Sequence, residues 1–130
     1  MPAAVDRAGV ILAVADVARS IAFYEKLGFA VDATFDEPAY AILSQAGTRL
    51  SLAEQGHEAG DLPGVVPTAG QSGRPSAMLV LEVGDCGAAH DELAAAGVEF
   101  VSEVYRPPWG GARCFARDPD GYLIELEELA

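Results

Sequence analysis

The sequence predicts an α+β fold of two tandem βαβββ modules that form a curved mixed sheet with a cleft. Three observations predict it. A constant shift of 69 residues lays Leu12 on Leu81, Val14 on Val83, Asp16 on Asp85 and Gly28 on Gly97, which is the self-similarity of a repeated unit. Each copy passes from an apolar run to helical spacing and then to short β-type segments. Between the copies, residues 57–75 (HEAGDLPGVVPTAGQSGRP) are rich in Gly and Pro, show neither period and read as a linker. The chain is therefore read as a single domain, 1–130, holding a first module at 8–56 and a second at 76–130.

The elements follow in order. The Val- and Leu-rich runs at 10–14 and 79–83 read as strands. Asp16 and Asp85 come next, and their carboxylates suit N-caps because they can accept the orphan amide hydrogens of a first helical turn. About three turns of helix follow, with Val17, Ile21, Tyr24 and Leu27 at helical spacing in the first copy. Gly28 and Gly97 stand where a helix end needs a left-handed residue. Three strands then complete each module: FAVDATF, YAILSQ and TRLSLAE in the first, VEFVSEVY, GARCFARD and YLIELEEL in the second. Gly47-Thr48 is expected to make one hairpin turn and Asp118-Pro119-Asp120-Gly121 another. Leu50-Ser51-Leu52 aligns with Ile124-Glu125-Leu126 at a shift of 74, so the second copy has gained five residues, placed around Arg106 to Gly111.

Composition excludes several function classes. Hydrophobic residues make up 51% of the 130 residues, which argues against disorder. Lys and Arg number 8 against 20 Asp and Glu, a net charge of −12. Such a surface repels phosphate backbones and anionic lipid, so neither nucleic acid nor membrane is expected as a partner. No secretory leader and no run of membrane-spanning length is read in the sequence. Cys86 and Cys114 have neither metal-type spacing nor a disulfide framework. A cytoplasmic protein is the expectation.

The segment V-x-D-V-A-R-S-I-A-F-Y-E-K-L-G-F at 14–29, with D-P-D-G-Y-L-I-E-L at 118–126 and the internal repeat, resembles the vicinal oxygen chelate (glyoxalase/bleomycin resistance protein/dioxygenase) superfamily over residues 8–128. That superfamily holds glyoxalases, extradiol dioxygenases, epimerases, resistance enzymes and metal-free antibiotic-binding proteins, so fold alone does not choose a function. The resemblance implies metal-ligand positions on the first and last strand of each module. Here they fall on Gly9, Ser51, Met78 and Glu125. Glu125 alone has a ligand-type side chain, Met78 is a soft thioether and Ser51 is a poor neutral donor. His57 and His90 fall in the linker and on the second helix and are read as solvent-facing. No metal and no cofactor is expected.

Metal-free bleomycin-binding relatives are similar in carrying an aromatic on an early strand and a P-W-G ahead of a later one, where the rings stack on planar ligands. Tyr40 and Pro108-Trp109-Gly110 occupy comparable places, and a π face suits a planar ligand. Phe35, Tyr105 and Phe115 are further cleft candidates, whereas Phe23, Phe29 and Phe100 are assigned to packing. Arg113 could fix a ligand carboxylate and Glu125 a cationic or hydrogen-bonding group. Cys86, at a helix start, is read as structural. The expected ligand-binding set is thus Tyr40, Trp109, Glu125, Ser51, Met78, Phe115, Phe35 and Arg113, with no catalytic residue assigned. The expected function is sequestration of a planar or hydrophobic small molecule, such as an antibiotic, by a homodimer. The alternatives are a glyoxalase-like lyase, isomerase or thiol transferase with a degenerate metal site, and an accessory protein that shields a biosynthetic intermediate.

Overall fold

The computed structural model describes residues 4–57 and 77–130. The chain divides into two compact units, Met1–Thr68 and Ala69–Ala130. Apart from His57, the linker segment 57–75 lies outside the described residues. The first unit runs β1 (Gly9–Val14), α1 (Val17–Lys26), β2 (Ala30–Asp36), β3 (Ala39–Gln45) and β4 (Thr48–Glu54). Its sheet has the order β1-β4-β3-β2, with β1 parallel to β4 and the other pairs antiparallel. The second unit runs β5 (Leu79–Glu82), α2 (Cys86–Ala95), β6 (Glu99–Phe100), β7 (Ala112–Arg117) and β8 (Leu123–Glu128). Its order, β5-β8-β7-β6, repeats that of the first, again with only the outer β5–β8 pair parallel. These are the two βαβββ modules that the repeat predicts.

The repeat lives in the helix ends. Asp16 accepts the Arg19 amide at 3.1 Å and Asp85 the Ala88 amide at 2.9 Å, so each aspartate satisfies an orphan donor of the first turn. At the other end Gly28 and Gly97 take φ of 95° and 94°. The Phe29 amide then donates to the Tyr24 carbonyl at 3.1 Å, and the Val98 amide to the Leu93 carbonyl at 3.0 Å. This is the Schellman closure, which a Cβ at the left-handed position would strain. In the first unit the Tyr24 and Phe29 rings meet edge to face at 5.9 Å, adding the apolar contact that accompanies this cap.

The core of the first unit lies between α1 and the sheet. Leu12, Val14, Leu43, Leu50 and Leu52 are buried from the strands and Val17, Phe23 and Tyr24 from the helix. In the second unit Cys86, Ala112, Cys114 and Leu126 form the buried cluster, with Leu81, Leu93 and Phe100 packed partly against it.

Three details differ from the sequence expectation. The strand expected over 98–105 is reduced to Glu99–Phe100 and an isolated bridge from Tyr105 to Arg113. The Ser102 hydroxyl accepts the Phe115 amide at 3.0 Å, so a side chain supplies the acceptor a continuing ladder would need. The hairpin between β3 and β4 turns on Ala46 and Gly47, with φ of 51° and 79°, not on Gly47-Thr48. Thr48 is already paired with Gln45, and two successive positive φ values match the twist of the strands. His90 is not simply solvent-facing: its ring lies 4.3 Å from that of Phe100, and its Nδ1 is 3.0 Å from Asp91 Oδ1. The Asp118–Gly121 turn forms as expected, with Asp118 Oδ1 accepting the Asp120 and Tyr122 amides at 2.9 Å each. No described helix is long and apolar enough to cross a membrane.

Candidate functional site

Strand alternation sorts the first sheet into two faces. Leu50 and Leu52 turn to the helix, so Arg49, Ser51 and Ala53 turn the other way. Register extends that second face sideways. Ser51 lies beside Ile11 on β1 and Ile42 on β3, Ala53 beside Tyr40, and Tyr40 beside Phe35 on β2. The Phe35 and Tyr40 rings are 6.1 Å apart at 54°. Phe35 is 55% exposed at the β2 edge of this face and Ile11 47% at the β1 edge. At the β1 side lies a hollow of about 320 Å³ lined by Arg7, Gly9, Val10, Ile11, Arg49 and Ser51. Arg49 Nε donates to the buried Ser51 hydroxyl at 3.2 Å.

The corresponding face of the second unit is built around Glu125. It lies beside Val80 on β5 and Phe115 on β7, and its side chain is only 6% exposed. Arg113 opposes Glu127 in the ladder, which makes Glu125 its diagonal neighbour. The Arg113 Nε comes within 2.8 Å of Glu125 Oε2. Among the described residues that oxygen has no hydrogen-bond partner of good geometry. The contact is therefore a Coulombic pair with an acceptor to spare. The same guanidinium sits 5.1 Å from the centre of the Phe115 ring, within cation–π range. Met78, just before β5, is 45% exposed.

The residues at the four places that the family resemblance implies for metal ligands, Gly9, Ser51, Met78 and Glu125, do not fit a metal ion. Ser51 and Glu125 hold the same place in the two sheets, since Ile11 pairs with Ser51 as Val80 pairs with Glu125. Gly9 pairs with Arg49, and a Cβ added there would stand 2.3 Å from the Arg49 carbonyl oxygen. The backbone has closed over the place from which a ligand side chain would project. The Ser51 hydroxyl is taken by Arg49, and Glu125 already faces a guanidinium. Among the described residues no group of three or more His, Cys, Asp or Glu side chains is assembled to hold a metal ion.

Of the residues singled out in the sequence, the structure gathers Phe35, Tyr40 and Ser51 on one sheet face of the first unit. It gathers Phe115, Arg113 and Glu125 on one face of the second. Trp109 stands apart on a turn closed by the Gly110 amide on the Pro107 carbonyl at 3.1 Å, and is 78% exposed. It does not pack its own loop. Sequence reasoning missed Arg7 and Arg49. The signal was available, because Arg49 is two residues from Ser51 and so shares its face.

Comparison with known proteins completes the picture. A family model described as the Glyoxalase/Bleomycin resistance protein/Dioxygenase superfamily matches residues 5–126. A glyoxalase-related enzyme from Fulvimarina pelagi superposes with a TM-score of 0.73 at 25% identity, over 94% of this chain and 86% of that one. TnmS3, an antibiotic binding protein from Streptomyces sp. CB03234, superposes with a TM-score of 0.72 at 23% identity over 100% of both chains. TioX from Micromonospora sp. ML1 gives 0.73 and 23%, over 94% of this chain and 97% of that one. The likeness to the last two speaks for the fold. A search of curated proteins finds no match.

Proposed function

The chain belongs to the Glyoxalase/Bleomycin resistance protein/Dioxygenase superfamily, and within it we propose that it works as a metal-independent binder of a planar, largely apolar small molecule. The observation that carries this reading is the aromatic pair of an exposed Phe35 and a half-buried Tyr40, on the sheet face turned away from α1. A folded unit that leaves such a surface uncovered has a partner for it, and tilted rings suit a flat ligand. Trp109, 78% exposed on its turn, offers a further π face. The donor set argues in the same direction, because one carboxylate already facing a guanidinium is poor company for a divalent ion. TnmS3, described as an antibiotic binding protein, shares the fold, and an antibiotic is the ligand type proposed here. The proposal includes a homodimer, and a reducing cytoplasm in which the Cys86 and Cys114 thiols stay unpaired.

A thermal-shift screen of planar antibiotics, run beside elemental analysis for bound metal, tests the reading. Stabilisation by such a compound without turnover is expected, with the effect reduced in Phe35→Ala and Trp109→Ala. Stoichiometric metal that Glu125→Gln releases would instead establish a lyase, isomerase or transferase with an altered ligand set. Sedimentation velocity checks the dimer.

A further inference from the structure

We propose that the hollow at the β1 side of the first unit, lined by Arg7 and by an Arg49 bonded to the buried hydroxyl of Ser51, recognises a carboxylate on the bound molecule. This rests on the proposed reading of that face as the ligand face, and it adds the ligand's chemical class: a planar or aromatic acid.

The argument begins with charge. The chain carries 8 basic residues against 20 acidic ones, a net charge of −12. Two of the 8 nevertheless line one hollow of about 320 Å³ whose other lining residues are Gly9, Val10, Ile11 and Ser51. None of these is acidic. Among the described residues neither arginine has a carboxylate within ion-pair distance. Arg49 is also held in place. Its Nε is tethered to Ser51, and among the described residues no hydrogen bond engages its two Nη groups, the fork that matches a carboxylate.

Gly9 belongs to the same device. Its absent Cβ would lie 2.8 Å from the Cβ of Arg49 as well as 2.3 Å from the carbonyl oxygen. A side chain at position 9 would push Arg49 out of place. The glycine that removes a metal ligand thus makes room for a fixed guanidinium cation in the same neighbourhood. The net charge of −12 opposes an approaching anion at long range, but it is screened beyond about 8 Å at physiological ionic strength. Contact with a guanidinium operates well inside that distance.

Calorimetric titration with naphthoate and with naphthamide separates the charge from the ring. Naphthoate should bind about tenfold more tightly, the yield of one charge-assisted contact. Arg49→Gln should erase that preference and leave naphthamide affinity within about twofold, and Arg49→Lys should restore part of it. Equal binding of the two probes by the native protein, or a preference that survives Arg49→Gln, overturns the proposal while leaving the aromatic reading intact. Should neither naphthyl compound bind, benzoate followed on the arginine Nε–H signals still decides. A saturable shift at Arg49, which benzamide fails to produce, upholds the acid site while the aromatic reading falls. No saturable shift refutes the site.

Discussion

Around Ser51 and Glu125, which are equivalent in register, the two modules hold opposite charge balances, each with an arginine brought from a different place in its sheet. In the first, Arg49 meets the neutral hydroxyl of Ser51. In the second, Arg113 meets the buried carboxylate of Glu125. One module therefore sets its cation beside a neutral group, while the other sets its cation beside a carboxylate. The cores differ as well. The first helix buries Val17, Ser20, Phe23 and Tyr24, the second only Cys86. Yet both helices keep the aspartate cap and the glycine closure. A duplicated scaffold is held by its element ends, which leaves the sheet faces free to diverge in chemistry. The difference between the modules is thus the most direct handle on what each one does.

The largest expected effect comes from the cores. Tyr24 is fully buried, whereas its repeat mate Leu93 is only partly so. Tyr24→Ala should cost about 3–5 kcal/mol, as other aromatic truncations do, and Leu93→Ala about 1–2 kcal/mol, as read by urea unfolding. Equal costs would mean that the two cores carry the same weight. The described cysteines, Cys86 and Cys114, lie in the second unit with their sulfurs 3.6 Å apart and fully buried. Burial, reinforced by Cys86 and Glu125, pushes the Cys114 thiol from 9.0 up to about 12, so in the native protein at mild alkaline pH that thiolate is scarce. Thiol labelling of Tyr24→Ala then reports whether the second unit stays closed when the first is weakened. Stability should also fall as pH rises from 9 towards 12, because the unfolded chain releases the Cys114 proton first.

The next effect sharpens the contrast in charge. Arg113→Met leaves Glu125 buried without a cation. Because Arg113 is itself half-exposed, the cost should be about 1–3 kcal/mol, below that of a fully buried pair. Adding Glu125→Gln should recover most of it. Arg49→Met removes a partner from a neutral hydroxyl, so its cost should stay under about 1 kcal/mol. A loss at Arg49 as large as that at Arg113 would mean the first module's arginine is structural and not held ready for a ligand.

How much of this was legible in the sequence depends on how local each cause is. The helices and their caps could be read because Asp16, Asp85, Gly28 and Gly97 act within a few residues of themselves. The equivalence of Ser51 and Glu125 could be read because strand alternation is a strict period. The shortened β6 could not, since the Ser102–Phe115 bond joins residues that only the sheet register brings together. Register also hid the pairing of Arg113 with Glu125, which is diagonal across two strands. Arg7 and Arg49 escaped notice for a different reason. An arginine is ordinarily a surface residue, and only the hollow, with no acid lining it, marks these two as a pair.

The smallest effects sit in the hairpins, and here the modules should respond with opposite signs. Gly121 has a φ of 93° with nothing within 4 Å of an added Cβ, so Gly121→Ala suffers backbone strain alone, about 1 kcal/mol. In the first module the left-handed position beside Gly47 is held by an alanine, Ala46, at φ 51°. Ala46→Gly relieves a left-handed cost of about 1–2 kcal/mol and gives back about 0.5–1 kcal/mol in unfolded-chain entropy. A net gain of about 0.5 kcal/mol is expected in the unfolding midpoint. A loss instead would show that Ala46 holds the β3–β4 hairpin by more than its backbone angle, and that the turn is part of what keeps Arg49 and Ser51, one and three residues beyond Thr48, in register with β1.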